Sequence, residues 1–155
     1  MARTEVITRE GLGADEGKLL TLCLTAACDL LDADGGSIML LDETKKNLIV
    51  SAAAGANKHD AIGKGVLVGE RVSGKAAEKR EAVLLQGKVD INKDERFRRM
   101  KEYEKINSGM SVPMIKGDKL LGVMNLKRTE KDTALSQDDM AKAGIFAREL
   151  AIALS

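Results

Sequence analysis

The pattern of apolar and polar positions predicts a β-hairpin in the last third of the chain. Its arms are Ser108–Ile115 and Leu120–Lys127, and Lys116–Lys119 forms a tight turn between them. Gly117 and Asp118 supply the backbone angles that such a turn requires. Most positions in both arms are apolar, which is typical of strands covered on both faces. A hairpin is not stable alone in water, so we expect further strands and covering helices around it.

Two longer segments, residues 15–31 and 137–155, have the apolar spacing of amphipathic helices. Ser136 is followed three positions later by the acidic Asp139, which predicts the N-cap of the second helix. Both helices have a wider apolar surface than packing on a sheet needs, so we expect a second protomer to bury their flanks. No glycine or proline ends the second helix. We expect it to continue into an output module of a longer signalling protein.

The remaining elements lie between these two helices. They are a hairpin of strands Ser37–Asp42 and Leu48–Ala54, a short helix Ser73–Lys79 with Ser73 as its N-cap, a strand Ala82–Leu85 and a charged helix Asp94–Lys105. Consecutive strands are joined as hairpins, which predicts an α+β fold with an antiparallel sheet. Residues 1–14 have no periodicity and are interpreted as a flexible lead-in to a single domain over residues 15–155.

Composition and charge exclude several classes of partner. The chain has 155 residues, with 25 basic and 24 acidic side chains, so its net charge of +1 gives no electrostatic case for nucleic acid or an anionic membrane. Two Phe, one Tyr and no Trp provide no stacking surface for single-stranded nucleic acid. No apolar run is long enough to span a membrane, and the first residues lack the apolar core of a signal peptide. We therefore expect a cytoplasmic domain without membrane contact.

The residues that commonly carry catalysis are few. Cys23 and Cys28 are five positions apart in the first helix, roughly 140° apart around its axis, and this spacing is poor for a disulfide. We interpret them as two reduced thiols. His59 is the single histidine, which excludes a metal site built from several histidines. We predict no catalytic residue, no metal site and no cofactor.

Four segments resemble, in order and at fitting intervals, the motifs of one protein family. They are Ala33–Asp42, similar to a first strand with an acidic turn; Gly69–Ala76, similar to a G-x-x-G-x-x-A helix start; Val89–Phe97, similar to D-x-x-x-D-x-R-F; and Ser108–Met114 with Leu121–Leu126, similar to S-x-x-x-V-P and G-V-x-x-L strands. Over nearly its full length, from about Asp15 to Leu154, the chain resembles a GAF domain.

The resemblance implies a central antiparallel sheet of about five or six strands with the two terminal helices on one face. Loops and short helices on the other face would form a pocket for an unknown small molecule. It also implies a homodimer through helices 15–31 and 137–155, and a sensory or regulatory role in bacterial-type signal transduction. The residues that we expect to bind the ligand are Ser37, Met39, Asn92, Arg96, Phe97, Met110 and Asn125. Asn92 and Arg96 would hold an amide or anionic group.

Three alternatives stay open. The domain could be a dimerisation spacer that binds no ligand. One branch of the family reduces free methionine sulfoxide with cysteines near the pocket, whereas Cys23 and Cys28 lie in the first helix. Cyclic-nucleotide-binding members carry an Asn-Lys…Phe…Asp-Glu motif, which this chain matches only loosely. The corresponding residues are Asn125, Lys127, Leu135, Asp138 and Asp139.

Overall fold

The computed structural model describes residues 4–86, 108–129 and 133–155. Within these ranges the chain folds into four helices and a sheet of seven strands, so the predicted α+β class is confirmed. In chain order the elements are β1 (Val6–Thr8), α1 (Ala14–Leu31), β2 (Gly35–Leu41), β3 (Asn47–Ala54), α2 (Lys58–Ala61), β4 (Gly65–Leu67), α3 (Arg71–Lys79), β5 (Val83–Leu85), β6 (Ser108–Lys116), β7 (Lys119–Arg128) and α4 (Gln137–Leu154).

The hairpin predicted from the sequence forms the centre of the sheet. The strand order is β1-β3-β2-β7-β6-β5, every pairing is antiparallel, and β4 pairs with β3 outside this path. β6 and β7 pair along their whole length, from Ser108 opposite Arg128 to Lys116 opposite Lys119. Gly117 in the turn has φ of 60°, the left-handed conformation that glycine adopts without strain.

The sheet contains two strands that the sequence pattern did not predict. β1 and β4 have three residues each, and both pair with the well-predicted strand β3. β1 lies inside the segment interpreted as a lead-in: Val6 pairs with Ala54, and Thr8 pairs with Ala52. Three residues are too short for an alternating pattern to stand out, so only their pairing identifies these strands.

The two terminal helices pack side by side on one face of the sheet, as predicted. Leu20 and Leu24 of α1 and Leu150 of α4 are buried in one core with Ile38 and Met124 of the sheet. These side chains meet because residues of a strand alternate between its two faces while helical residues three or four apart share one face. No helix in the described ranges is long and apolar enough to cross a membrane.

The two predicted helix starts have different outcomes. The Ser136 Oγ accepts a hydrogen bond from the Asp139 backbone N at 3.1 Å, and Asp139 Oδ2 accepts one from the Ser136 N at 2.8 Å. This reciprocal capping box confirms the predicted start of α4. The predicted N-cap at Ser73 is wrong, because α3 begins at Arg71 and its N-cap is Glu70. Ser73 is the third residue of α3, where the helix is already formed. The helix predicted over residues 94–105 lies outside the described residues.

Arg128, at the end of β7, joins the sheet to the helix layer. Only 8% of this residue is exposed, and its guanidinium donates to the backbone oxygens of Leu31 at 2.7 Å, Asp32 at 3.3 Å and Thr133 at 2.8 Å. Leu31 ends α1, so the cation lies at the negative end of the helix dipole. Arg128 therefore fixes the end of α1 and the connection to α4 in one place.

Candidate functional site

A cavity of about 470 Å³ lies on the sheet face opposite α1 and α4. Strands β2, β3, β6 and β7 form its floor, and α2, β4 and the start of α3 lie around it. This volume is within the usual range for sites that bind small molecules. The position agrees with the pocket that the sequence predicted on the face away from the terminal helices.

A row of three polar side chains crosses the middle of the floor, and we call it the amide row. Strand pairing places Ser37 of β2 opposite Asn125 of β7, and Asn125 opposite Ser111 of β6. The Ser111 hydroxyl donates to Asn125 Oδ1, and Asn125 Nδ2 donates to Ser37 Oγ at 3.1 Å. These two bonds use one of the two amide N–H donors of Asn125 and do not use the hydroxyl hydrogen of Ser37. The second N–H and this hydroxyl hydrogen can therefore donate to a ligand.

The rows on either side of the amide row have opposite character. An apolar row lies two residues from the amide row in one direction along the strands. A row with one lysine between two glycines lies two residues away in the other direction. The apolar row is Met39, Val123 and Pro113, and the lysine row is Gly35, Lys127 and Gly109. Of these two rows, Met39, Gly109 and Lys127 line the cavity. Its floor therefore changes along one direction from the apolar Met39 through the amide row to the cationic Lys127, because side chains two apart on a strand share a face.

The rest of the cavity lining is aliphatic and basic. Its apolar side chains are small or flexible, among them Val50, Ala53, Ala61, Val66 and Val72. In the described part of the chain, no aromatic side chain lines the cavity, and the charged residues are four cations and one carboxylate. These are Lys58, Lys64, Arg71, Lys127 and Asp60. The described lining thus favours a ligand with an aliphatic part and a negative or hydrogen-bond-accepting group.

The structure brings together only some of the predicted site residues. Ser37, Met39 and Asn125 line the cavity, and their role as ligand contacts stays a prediction. Met110 also borders the cavity, but it pairs with Leu126 and belongs to the core under the terminal helices. The last three residues of the predicted set lie outside the described residues: Asn92, Arg96 and Phe97.

The predicted set of ligand-binding residues omitted Ser111 and Lys127. Both lie in the predicted hairpin, with Lys127 two residues after Asn125, so alternation along β7 could have placed Lys127 on the same face as Asn125. Ser111 needed the register between the two arms. The predicted turn at Gly117 does not supply it, because the pairing shifts by one residue between Met114 and Ile115. The neighbouring strand β2 could not be placed in this way, because its pairing with β7 joins segments about ninety residues apart in sequence.

The cyclic-nucleotide alternative gains no support from the geometry. Leu135 is fully buried in the core on the helix side of the sheet. Asp139 is engaged in the capping box at the start of α4, and Asp138 pairs with Lys142 at 3.1 Å. Only Asn125 and Lys127 of that loose motif reach the cavity.

Both cysteines lie in α1, on the face of the sheet opposite the cavity. Cys28 is almost completely buried, and the Cys23 Sγ donates to the backbone oxygen of Phe146 at 3.7 Å. Burial raises the pKa of the Cys23 thiol to about 11. Burial, together with the nearby Asp29 and Asp34, raises the pKa of the Cys28 thiol to about 12. Both groups are therefore thiols rather than reactive thiolates at neutral pH.

We expect both thiols to react slowly with Ellman's reagent at pH 8 in the folded protein and fully after unfolding in urea. The raised pKa values also predict that stability falls as the pH rises from about 9 toward 12, because only the unfolded chain loses these protons in that window. Urea unfolding followed by circular dichroism would measure the slope. A variant with Cys23→Ala and Cys28→Ala should show a shallower decline, and rapid labelling of the folded protein would contradict the expectation.

An antiparallel sheet with two helices on one face and a cavity on the other defines a class of small α+β domains. The family model for the GAF domain matches residues 13–155 of this chain. The chain belongs to the GAF domain family, whose members typically act as sensory or regulatory modules in signalling proteins. No curated protein sequence is significantly similar to it.

Several solved structures share the fold at low sequence identity. The GAF domain of an Acinetobacter phosphoenolpyruvate-protein phosphotransferase is 22% identical, with a TM-score of 0.72 over 91% of this chain and 82% of that one. Residues 122–287 of a methyl-accepting chemotaxis protein are 19% identical, with a TM-score of 0.75 over 92% and 90%. A type II free methionine-R-sulfoxide reductase from Thermoplasma acidophilum is 16% identical, with a TM-score of 0.68 over 88% and 92%. At these identities the similarity establishes the fold alone.

Proposed function

We propose that this GAF domain is a cytoplasmic sensory module that binds a small ligand in the cavity and passes the signal through a dimer of its terminal helices. The observation that carries the proposal is that the cavity floor and the helix layer share the same four strands, β2, β3, β6 and β7. An output domain of a longer parent protein would receive the signal. The chemotaxis-protein structure and a GAF domain/HD domain protein from Geobacter sulfurreducens are examples of signalling contexts for the fold.

The shared strands provide a mechanical link between the two faces. Asn125 lies on the cavity floor, while its neighbours Met124 and Leu126 are buried against the helix layer. In β2, Ser37 lies on the floor and Ile38 is buried under the helices in the same way. A ligand that draws the amide row together would move these strand backbones. Because the core is close-packed, the terminal helices would have to adjust.

The outer surface of the helix layer is suited to a second copy of the domain. The exposed fractions of its large apolar residues are 69% for Leu22, 62% for Leu30, 56% for Ile145 and 46% for Ile152. Around each helix axis these residues lie away from the core positions, with Leu22 and Leu30 on α1 and Ile145 and Ile152 on α4. Exposed apolar side chains grouped on adjacent helices are typical of protein interfaces.

We expect the domain to be a dimer at micromolar concentrations, and Leu30→Lys with Ile145→Lys to make it a monomer. Two charges placed in the interface would have to be buried without partners, at a free-energy cost on the order of several kcal/mol. Size-exclusion chromatography with light scattering would measure the mass, and circular dichroism would verify the fold. Leu67→Lys is a matched control, because Leu67 is 46% exposed but lies in β4, on a strand that the terminal helices do not cover. A wild-type monomer at high concentration would contradict this part of the proposal.

Ligand binding is tested by thermal unfolding in the presence of a panel of amino acids, organic acids, cyclic nucleotides and anions. A ligand at about 100 times its Kd should add roughly 2.7 kcal/mol of stability. We expect at least one compound to do so for the wild type and to lose this effect with Asn125→Leu, which removes the centre of the amide row. If no compound stabilises the domain while the dimer persists, the role as a dimerisation spacer is the correct one.

The reductase alternative has a direct test as well. A free methionine sulfoxide reductase would need a thiolate at the cavity, and both cysteines of this chain lie across the sheet from it. We expect no reduction of free methionine sulfoxide above background with dithiothreitol or thioredoxin as reductant. Turnover that is abolished by Cys23→Ser or Cys28→Ser would instead support the enzyme.

A further inference from the structure

The three rows of residues on this face of the sheet are chemically complementary to one kind of ligand. Two residues along a strand span roughly 6.6 Å, so the apolar row and the lysine row are about 13 Å apart. The amide row lies between them. A ligand that follows this direction would meet Met39 at one end, Asn125 in the middle and Lys127 at the other. Complementarity requires an apolar tail and a negatively charged head.

Lys127, at the cationic end, lies between two glycines. Gly35 and Gly109 are its partners on β2 and β6, so no side chain stands beside it in its own row. A β-carbon at Gly35 would come within 2.8 Å of Lys127 Cε, so the lysine lies over this glycine. Lys127 already has an interaction within the fold. An ammonium group has three donors, which allows a ligand to share it.

The amide row can offer two hydrogen-bond donors to a ligand beside Lys127. The second N–H of Asn125 and the hydroxyl hydrogen of Ser37 remain after the row's two hydrogen bonds. Two neutral donors next to an ammonium group match a carboxylate, which has two oxygens and only accepts hydrogen bonds. An amine would place a cation against Lys127.

The described walls around the tail are aliphatic. Met39, Val50 and Ala53 border the apolar end, and the described lining contains no aromatic side chain on which a flat ring could stack. Methionine adapts its shape to an irregular chain better than a rigid side chain would. An aliphatic chain therefore fits this end of the cavity.

We propose that the ligand of this cavity is an aliphatic monocarboxylate, with its carboxylate between Lys127 and Asn125 and its chain over Met39. This inference rests on the proposed ligand-binding function and specifies its chemistry. Two features select a carboxylate head: the charge of Lys127 and the pair of hydrogen-bond donors in the amide row. The apolar row sets the preference for a chain over a bare anion such as acetate.

The test compares hexanoate with hexanamide and hexylamine, which share one chain and differ in the charge of the head. Isothermal titration calorimetry on the wild type should show hexanoate bound about tenfold or more tightly than hexanamide, since hydrogen bonds to a charged group are the stronger kind. Hexylamine and acetate should bind more weakly still. Lys127→Met should abolish the difference between hexanoate and hexanamide, whereas Lys116→Met, at the exposed hairpin turn, should keep it.

Each result of these titrations either supports or overturns the proposed ligand class. Equal binding of hexanoate and hexanamide, or tighter binding of hexylamine, overturns the inference. If none of these compounds binds but another class in the wider panel stabilises the domain in an Asn125-dependent way, the inference fails and the sensory function stands. If nothing in either experiment binds, both fail. Should Lys127→Met not fold, Ser37→Ala provides the second variant: it removes one donor and should weaken hexanoate binding severalfold, and unchanged binding would contradict the proposal.

Discussion

Replacing Gly122 with alanine is expected to destabilise the domain by about 3 kcal/mol or more. Gly122 lies in β7 opposite Leu40 of β2 and Met114 of β6. A β-carbon at this position would come within 2.0 Å of the Met39 backbone oxygen and 3.1 Å of its carbonyl carbon. The obstacle is backbone in a central strand, so it cannot turn away as a side chain could.

The local structure explains why the chains approach so closely here. The register of β6 and β7 shifts between Met114 and Ile115, which leaves Leu121 as an extra residue immediately before Gly122. Such a bulge bends the strand, and glycine allows the neighbouring backbone to come near. Alanine would have to push β2 and β7 apart in the middle of the sheet, where both faces are packed.

Chemical unfolding followed by circular dichroism would measure the loss, and for a domain of this size it corresponds to a fall in Tm of about 6–12 °C. Gly144→Ala is the matched control, because Gly144 lies within α4 and an added methyl group would meet nothing within 4 Å. There the same change should stabilise the protein by about 0.5–1 kcal/mol through better helix propensity. A Gly122→Ala variant as stable as the wild type would show that the central strands can separate freely.

Replacing Arg128 with methionine is expected to cost about 2–4 kcal/mol. The guanidinium is buried and donates to three backbone oxygens, those of Leu31, Asp32 and Thr133. Methionine fills much of the same volume but donates nothing, so these oxygens at the end of α1 and before α4 lose a charged partner. The loss is larger than that of a surface arginine because the site is closed to water.

Arg148→Met tests whether burial is the reason that Arg128→Met loses stability. Arg148 lies on α4 with 66% of its side chain exposed and is 4.0 Å from Glu149. We expect its replacement to change the free energy of unfolding by less than about 0.5 kcal/mol. The loss of stability in Arg128→Lys should lie between those of Arg128→Met and Arg148→Met. A lysine keeps the charge but lacks the planar guanidinium that reaches three oxygens at once. Equal effects of Arg128→Met and Arg148→Met would contradict the structural role of Arg128.

The predicted helices and the central hairpin came from periodicity, which is a local property of the sequence. Apolar residues three or four apart defined α1 and α4, and Gly117 between two apolar arms defined β6 and β7. The wide apolar surfaces of the terminal helices are matched by the exposed Leu30 and Ile145. These features needed no knowledge of distant contacts.

Other features depend on which segments meet in space. Arg128 follows Lys127 at the end of a strand and looks solvent-exposed in the sequence, yet the approach of α1 buries it. Ser73 has the chemistry of an N-cap, but α3 starts two residues earlier. For Arg128, tertiary packing overrides the local preference of the residue.

The sequence by itself determined the α+β class, the central hairpin and the two terminal helices, and its resemblance to GAF domains implied the face on which a pocket would lie. It also placed Ser37, Met39 and Asn125 among the residues near that pocket. The tertiary structure alone decided that Asn125 joins Ser37 and Ser111 in one hydrogen-bonded row, with Lys127 between two glycines beside it. The reason is physical: periodicity fixes the face to which a side chain points, whereas the register between strands distant in sequence fixes which side chains meet.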